Sequence, residues 1–260
     1  MIAHYLRITK ELLITDLMLM KQKLFDTIVN TLIWVSSVTA IATYILPSLG
    51  ITKAYSGMIL IGTIASASVF ECFGNTSVMV ADLDGDRTIS YQLTLPLPGW
   101  LLLAEKGVAF AIHSAVLTLF VLPIGKLIMG DQLVLSTIHL GKFILAYALL
   151  HLMCGFLGII MIAYTASMNH ILNVWTRFLF PLWFFGGSQF NWYTLKQISP
   201  ALAYVNLANP ITYAYESIKG ASLTGEPFLS FWVCIAMMTL FSILFLYIGH
   251  RKIKQRLDYL

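Results

Sequence analysis

Charge is what this 260-residue chain has least of: Asp, Glu, Lys and Arg make up 11% of it, against roughly a quarter in ordinary soluble domains. With 58% apolar residues, that scarcity excludes a soluble protein wrapped in a charged surface. The useful count becomes the number of apolar runs able to cross about 30 Å of hydrocarbon at about 20 helical residues each. Six runs qualify: 25–46, 55–81, 101–124, 140–166, 171–187 and 228–249. Backbone polar groups in lipid must be bonded within their own segment, so runs of this length are helices. Little sequence lies between them, and no internal repeat is visible. The expected fold is an all-α integral membrane protein, a single transmembrane domain over 1–260 with six transmembrane helices.

Other absences narrow the chemistry. There are three cysteines, Cys72, Cys154 and Cys234, each inside an expected span and without pairing or metal-like spacing; they read as apolar packing residues. No G-x-x-x-x-G-K-[ST] loop and no G-x-S-x-G elbow occurs, so neither a phosphate-cradling loop nor a nucleophile elbow is available. Energy for any work done here comes from another polypeptide or from an ion gradient. A cleavable leader is not evident either, because Arg7, Lys10, Glu11, Asp16, Lys21 and Lys23 interrupt the first 24 residues. Ile2, Tyr5, Leu6, Leu12, Leu13, Leu17 and Met20 recur near helical spacing, which predicts an amphipathic interfacial helix over 1–24.

The few charges still set an orientation. With six spans, the termini and the loops after spans two and four share one side. That side carries Arg7, Lys10, Lys21, Lys23, Arg87, Lys106, Arg177, Arg251, Lys252, Lys254 and Arg256, against Lys53, Lys126, Lys142, Lys196 and Lys219 on the other. Lysine and arginine collect on the cytoplasmic side, so both termini are expected in the cytoplasm. The formal net charge of +4 calls for anionic membrane lipid as a partner and for no nucleic acid.

Three stretches break the apolar pattern. Residues 82–100, DLDGDRTISYQLTLPLPGW, hold three acids, an arginine and two prolines on the cytoplasmic side. Asp82, Asp84 and Asp86 imitate a calcium loop, but glycine stands fourth and Leu93 occupies the twelfth place, where that loop needs glycine sixth and glutamate twelfth. The run 171–187 is short and holds Pro181, Gly186 and Gly187, so it barely crosses. The following 188–227 lies on the outer side yet is rich in aromatics and aliphatics; it reads as an outer re-entrant segment sheltered by protein or a cavity. Span two carries many small residues, Gly62, Ala65, Ser66, Ala67, Ser68 and Gly74 among them, which marks a helix–helix interface. It also carries Glu71, a candidate path or gate residue, since an ionisable group inside a span is costly unless paired or wet. His113 and His151 fall inside spans without metal-pair spacing and read as hydrogen-bonded packing residues.

Two of these stretches resemble a known family. Arg87-Thr88-Ile89 followed by Leu93-Thr94-Leu95-Pro96-Leu97-Pro98 resembles the cytoplasmic stretch after the second span in membrane subunits of type-2 ABC exporters. Asn209-Pro210-Ile211-Thr212-Tyr213, with Glu216 and Lys219 following, is similar to that family's stretch before the last span. The turn after the fifth span departs from the family pattern, with Gly186-Gly187-Ser188-Gln189-Phe190 and later Ser199-Pro200.

The resemblance implies a permease that carries no cofactor of its own and is driven by a cytoplasmic ABC ATPase, two copies of which hold ATP and Mg. It implies a bacterial cytoplasmic (inner) membrane location and a polysaccharide, lipid or drug as substrate. It further implies that Arg87, Thr88, Ile89, Tyr91, Leu93 and Pro96 belong to an ATPase-coupling helix, and that Asn209, Pro210, Thr212, Tyr213 and Glu216 form the outer re-entrant motif. Residues 87–95 have length for about two and a half turns, stopped by Pro96 and Pro98, with Ile89, Leu93 and Tyr91 as apolar knobs. Six spans are few to enclose a large substrate, so a second permease copy in a homodimer, or this chain with a similar one, is expected to face it around the path. Two other classes stay open on residues alone: a membrane enzyme acting on lipid-linked substrates with the three aspartates as metal ligands, and an ion-coupled secondary transporter using Glu71.

Overall fold

The computed structural model describes residues 2–52, 54–86, 88–225 and 227–258. Among these residues the chain is helical with no strand. In chain order the helices are α1 (Ile2–Ala40), a π-helical turn Ile41–Ile45, α2 (Leu46–Ser48), α3 (Ala54–Asp84), α4 (Thr88–Gln92), α5 (Gly99–Thr118) and α6 (Val121–Met129). They continue as α7 (Leu140–Tyr164), α8 (Ile171–Val174), a second π turn Trp175–Leu179, α9 (Phe180–Phe185), α10 (Trp192–Ile198), α11 (Pro200–Asn206), α12 (Pro210–Ser222) and α13 (Phe231–Asp258). Short 3₁₀ turns lie at Gly130–Gln132, Leu135–Thr137 and Met168–His170.

Five stretches are long and apolar enough to cross a membrane: His4–Ser48, Tyr55–Asp84, Gly99–Gln132, Leu140–Tyr164 and Phe231–Gln255. The chain is therefore a multi-pass membrane protein. The expected spans at 55–81, 101–124, 140–166 and 228–249 coincide with four of them to within a few residues, except that the second and fourth extend to Gln132 and Gln255. Residues 171–187 do not reach that length. Their helices run from Ile171 to Phe185, about 22 Å at 1.5 Å per residue, short of the hydrocarbon thickness.

The start of the chain differs from the expectation. The interfacial helix over 1–24 and the span 25–46 are one unbroken helix, because no glycine or proline precedes Pro47 and nothing stops propagation. At 45 residues it spans about 67 Å, so its N-terminal half extends beyond any bilayer core that its C-terminal half crosses. Both π turns end two residues before a proline, Pro47 and Pro181. A proline removes an i to i−4 bond and its ring clashes with that carbonyl; one wider turn relieves the clash.

Helix α7 is the hub, packed against α3, α5, α12 and α13. Its crossing with α5 requires glycine on both sides: a Cβ at Gly155 would strike the Gly107 carbonyl, and one at Gly107 would strike the Phe156 ring. The small residues of α3 serve the same chain. Ala65, Ser66, Ala67 and Ser68 are buried, and a Cβ at Gly62 would lie 2.7 Å from the Ser188 carbonyl. The central polar knot is His151, bonded through Nδ1 to Ser114 (2.9 Å) and Ser68 (3.0 Å) and through Nε2 to Thr118 (3.0 Å). It is a packing histidine, as expected, and the three cysteines are buried and free.

Packing also separates two ends. Met20 of α1, Ile89 of α4, Leu103 of α5, Ile171 of α8 and Ile253 of α13 belong to one apolar cluster. At the other end, the Tyr44 hydroxyl donates to the Ile128 carbonyl (2.8 Å), the Tyr55 hydroxyl donates to the Gln189 carbonyl, and the His139 amide donates to the Ala221 carbonyl (2.9 Å).

Candidate functional site

At the first end, the last turn of α3 organises the loop after it. The Asp82 carboxylate accepts from the amides of Thr88 (3.1 Å) and Ile89 (3.0 Å). An acceptor here satisfies two of the free N–H groups that open a helix and complements its positive end. Asp84 accepts from the Met168 amide (2.7 Å), tying this loop to the one after α7. Two of the three acids thus hold backbone, which removes the support for a shared metal cluster.

Helix α4 is shorter than the span predicted from spacing. It covers Thr88–Gln92 and unwinds through single turns, Leu93 to Ile89 (3.0 Å), Thr94 to Tyr91 (3.0 Å) and Leu95 to Gln92 (3.2 Å). Leu95 and Leu97 each precede a proline, which disfavours helical backbone there, and Pro98 then leads into α5 at Gly99. Arg87 lies outside the described residues. Thr88 and Pro96 are exposed, and Leu93 is half-buried.

The expected apolar knobs divide. Ile89 is 3% exposed and packs inward with Val80, Leu103 and Phe110, so it anchors α4 rather than presenting it. Tyr91 is 71% exposed and is the aromatic side chain this helix offers outward. Five residues make little more than one turn, so only one side of the helix is free; spacing alone does not tell which.

At the other end the motif residues 209–219 build a dense bonded unit. Asn209 caps α12, its Oδ1 accepting from the Ile211 amide (3.0 Å) while its Nδ2 donates to the Leu182 carbonyl (2.8 Å). Pro210 occupies the first turn, where its missing N–H costs nothing. The Thr212 hydroxyl donates to the Asn206 carbonyl (3.2 Å), and the Tyr213 hydroxyl to the Leu207 carbonyl (2.7 Å). Glu216 is 2% exposed and accepts from the amides of Trp192 (2.6 Å) and Leu229 (2.8 Å). Lys219, fully buried, donates to the carbonyls of Gly187, Ser188 (3.2 Å) and Phe190 (3.1 Å). Burial pushes the Glu216 carboxyl up and the Lys219 ammonium down, while the amides around one, and the charge of the other, oppose it.

The sequence pointed to Asn209, Thr212, Tyr213 and Glu216 through their motif and placed Lys219 among the outer charges. It missed that Lys219 is the hub of the 187–190 turn. The available signal was the Gly186-Gly187 pair itself; in the structure Gly187 sits at φ 101°, and the carbonyls of the turn face the Lys219 ammonium.

Glu71 lies near a residue that sequence did not place beside it, without bonding to it. Its Oε2 lies 3.6 Å from Nδ1 of His113 on α5. Nearby, Lys106 forms an ion pair with Asp16 of α1, both side chains nearly buried, which fastens the long first helix to α5. Around Phe70, the rings of Trp34, Trp175 and Trp183 lie at centroid distances of 5.1, 5.6 and 5.2 Å, joining α1, α3 and the short 171–185 helices.

Residues 17–223 match the family model described as ABC-2 type transporter. Because that match covers most of the chain, the protein belongs to the ABC-2 type transporter family: it is a type-2 ABC transporter permease, the membrane component of an ABC transporter. Such a component generally lacks an ATPase site of its own and works with an ABC ATPase. No curated protein matches the chain.

Proposed function

We propose that the chain is the permease of an ATP-driven exporter in a bacterial cytoplasmic membrane, moving an amphipathic glycan, lipid or drug out of the cytoplasm. In this reading a separate ATPase, two copies per complex, binds ATP and Mg, and two permease chains face each other around the path. Both termini and α4 lie in the cytoplasm, residues 171–187 make a thin sixth crossing, and 188–227 re-enters from outside. The lysine and arginine asymmetry supports that orientation.

The observation that carries the reading is the mounting of α4. Its N-terminus is held by Asp82 from the end of α3, its C-terminus runs within a few residues into α5, and Tyr91 faces outward. A push on so short a helix is delivered to two spans at once. The test is Mg-ATP hydrolysis by the purified permease–ATPase complex. Tyr91→Asp should lower permease-dependent stimulation at least about tenfold, or about 1.4 kcal/mol of coupling, while insertion stays normal. Undiminished stimulation and transport in Tyr91→Asp would sink the assignment.

A further inference from the structure

Beneath α4 lies a cavity of about 560 Å³, within the size range of small-molecule sites. Three helices contribute one stripe each: Asp16, Met20 and Lys23 from α1, Glu71, Asn75 and Asp82 from α3, and Lys106, Phe110 and His113 from α5. The spacings of three, four and seven put each set on a single helical face. From Asp82 to Glu71 the stripe on α3 rises about 16 Å at 1.5 Å per residue, so the cavity runs from the α4 end into the middle of the span.

Its charges are unevenly compensated. Asp16 is paired with Lys106, and Asp82 is occupied by two amides. Glu71, at the deep end, has His113 at 3.6 Å, beyond hydrogen-bond length, and its side chain is 18% exposed. Around it, Nδ2 of Asn75 and both ring nitrogens of His113 are buried with no hydrogen-bond partner among the described residues; the two residues are 8% and 9% exposed. Buried polar atoms are ordinarily paired. Both residues line the same pocket, beside the ring of Phe110 and the apolar chains of Met20 and Met79.

We propose that this cavity binds a lipophilic organic cation, whose charge faces Glu71 and whose apolar body lies against Phe110, Met20 and Met79. A carboxylate accepts only, with up to four lone-pair directions, and a cation reaching it in surroundings of low dielectric is attracted far more strongly than in water. An anion of the same shape would meet Glu71 with like charge. The inference deepens the exporter reading by naming a substrate class, and rests on it only for the fate of the bound cation.

The test is equilibrium binding of radiolabelled tetraphenylphosphonium to the full chain in lipid nanodiscs without any ATPase, with tetraphenylborate as the anion of matching shape. Because no ATPase is present, failure here leaves the permease reading standing, and failure of ATPase coupling leaves the binding result standing. Saturable binding of the cation is expected, at least about tenfold tighter than of the borate, and Glu71→Gln should weaken it by a similar factor. Equal affinity for the two ions, or a Glu71→Gln protein that binds as the parent does, overturns the proposal. If Glu71→Gln fails to insert, Asn75→Trp serves instead: it projects a ring into the cavity from the same face of α3, and unchanged cation binding in that variant also overturns it.

Discussion

The two ends of this molecule are held by opposite means. At the 187–229 end, one buried lysine and one buried glutamate each bond backbone from distant stretches, and Asn209, Thr212 and Tyr213 add further side chain to backbone bonds. At the α4 end, a five-residue helix hangs from one carboxylate cap and one buried isoleucine above a cavity. The 187–229 unit behaves as a single piece, since moving any part breaks several buried bonds. The α4 end can shift at the cost of a cap and a few contacts, and regions that move are drawn from such lightly held parts.

That contrast breaks most directly at Lys219. Lys219→Met should strand three carbonyls and leave Glu216 without its neighbouring cation, costing about 3–5 kcal/mol. The measurement is thermal unfolding of the purified chain in detergent, and a shift no larger than that of a surface variant would refute the account. Next is Glu216→Gln, which keeps the shape but leaves one neutral carbonyl acceptor and sets an NH2 donor against the other backbone N–H. A loss of about 1–3 kcal/mol is expected, with faster hydrogen exchange at the Trp192 and Leu229 amides.

The α4 end should respond more gently and more locally. Asp82→Ala removes the cap, worth about 0.5–2 kcal/mol, and exchange should accelerate at Thr88 and Ile89 while global unfolding barely moves; a large global loss would show that α4 is braced like the 187–229 unit. Smallest in stability is Tyr91→Asp, expected within about 0.5 kcal/mol because the ring is exposed. Its large loss of ATPase stimulation beside that small change is the sharpest form of the comparison.

Much of this architecture was legible before any coordinates. Four spans fell where hydropathy put them, the cysteines and His151 were packing residues, and the shortness of 171–187 was visible from Pro181 and Gly186. Of the three acids before α4, Asp82 serves as its cap. Other features resisted reading. The amphipathic start looked like a separate interfacial helix because its charges alternate with apolar residues, yet nothing in it breaks a helix. The small residues of α3 suggested an interface without saying that α7 and the 187–190 turn of the same chain fill it.

What the sequence by itself determined is the class of solution: in a medium without water each apolar run must bond its own backbone, so composition and run length dictate helices and roughly where they cross. What only the tertiary structure decided is which side of each helix meets what. Ile89 turned inward while Tyr91 stayed out, Glu71 came within reach of His113, and Lys219 found three carbonyls some thirty residues away. Hydropathy is a property of a local window, whereas those pairings depend on how helices cross. In this chain they turn on close approaches such as Gly107 against Gly155, where a single added methyl group would push the helices apart.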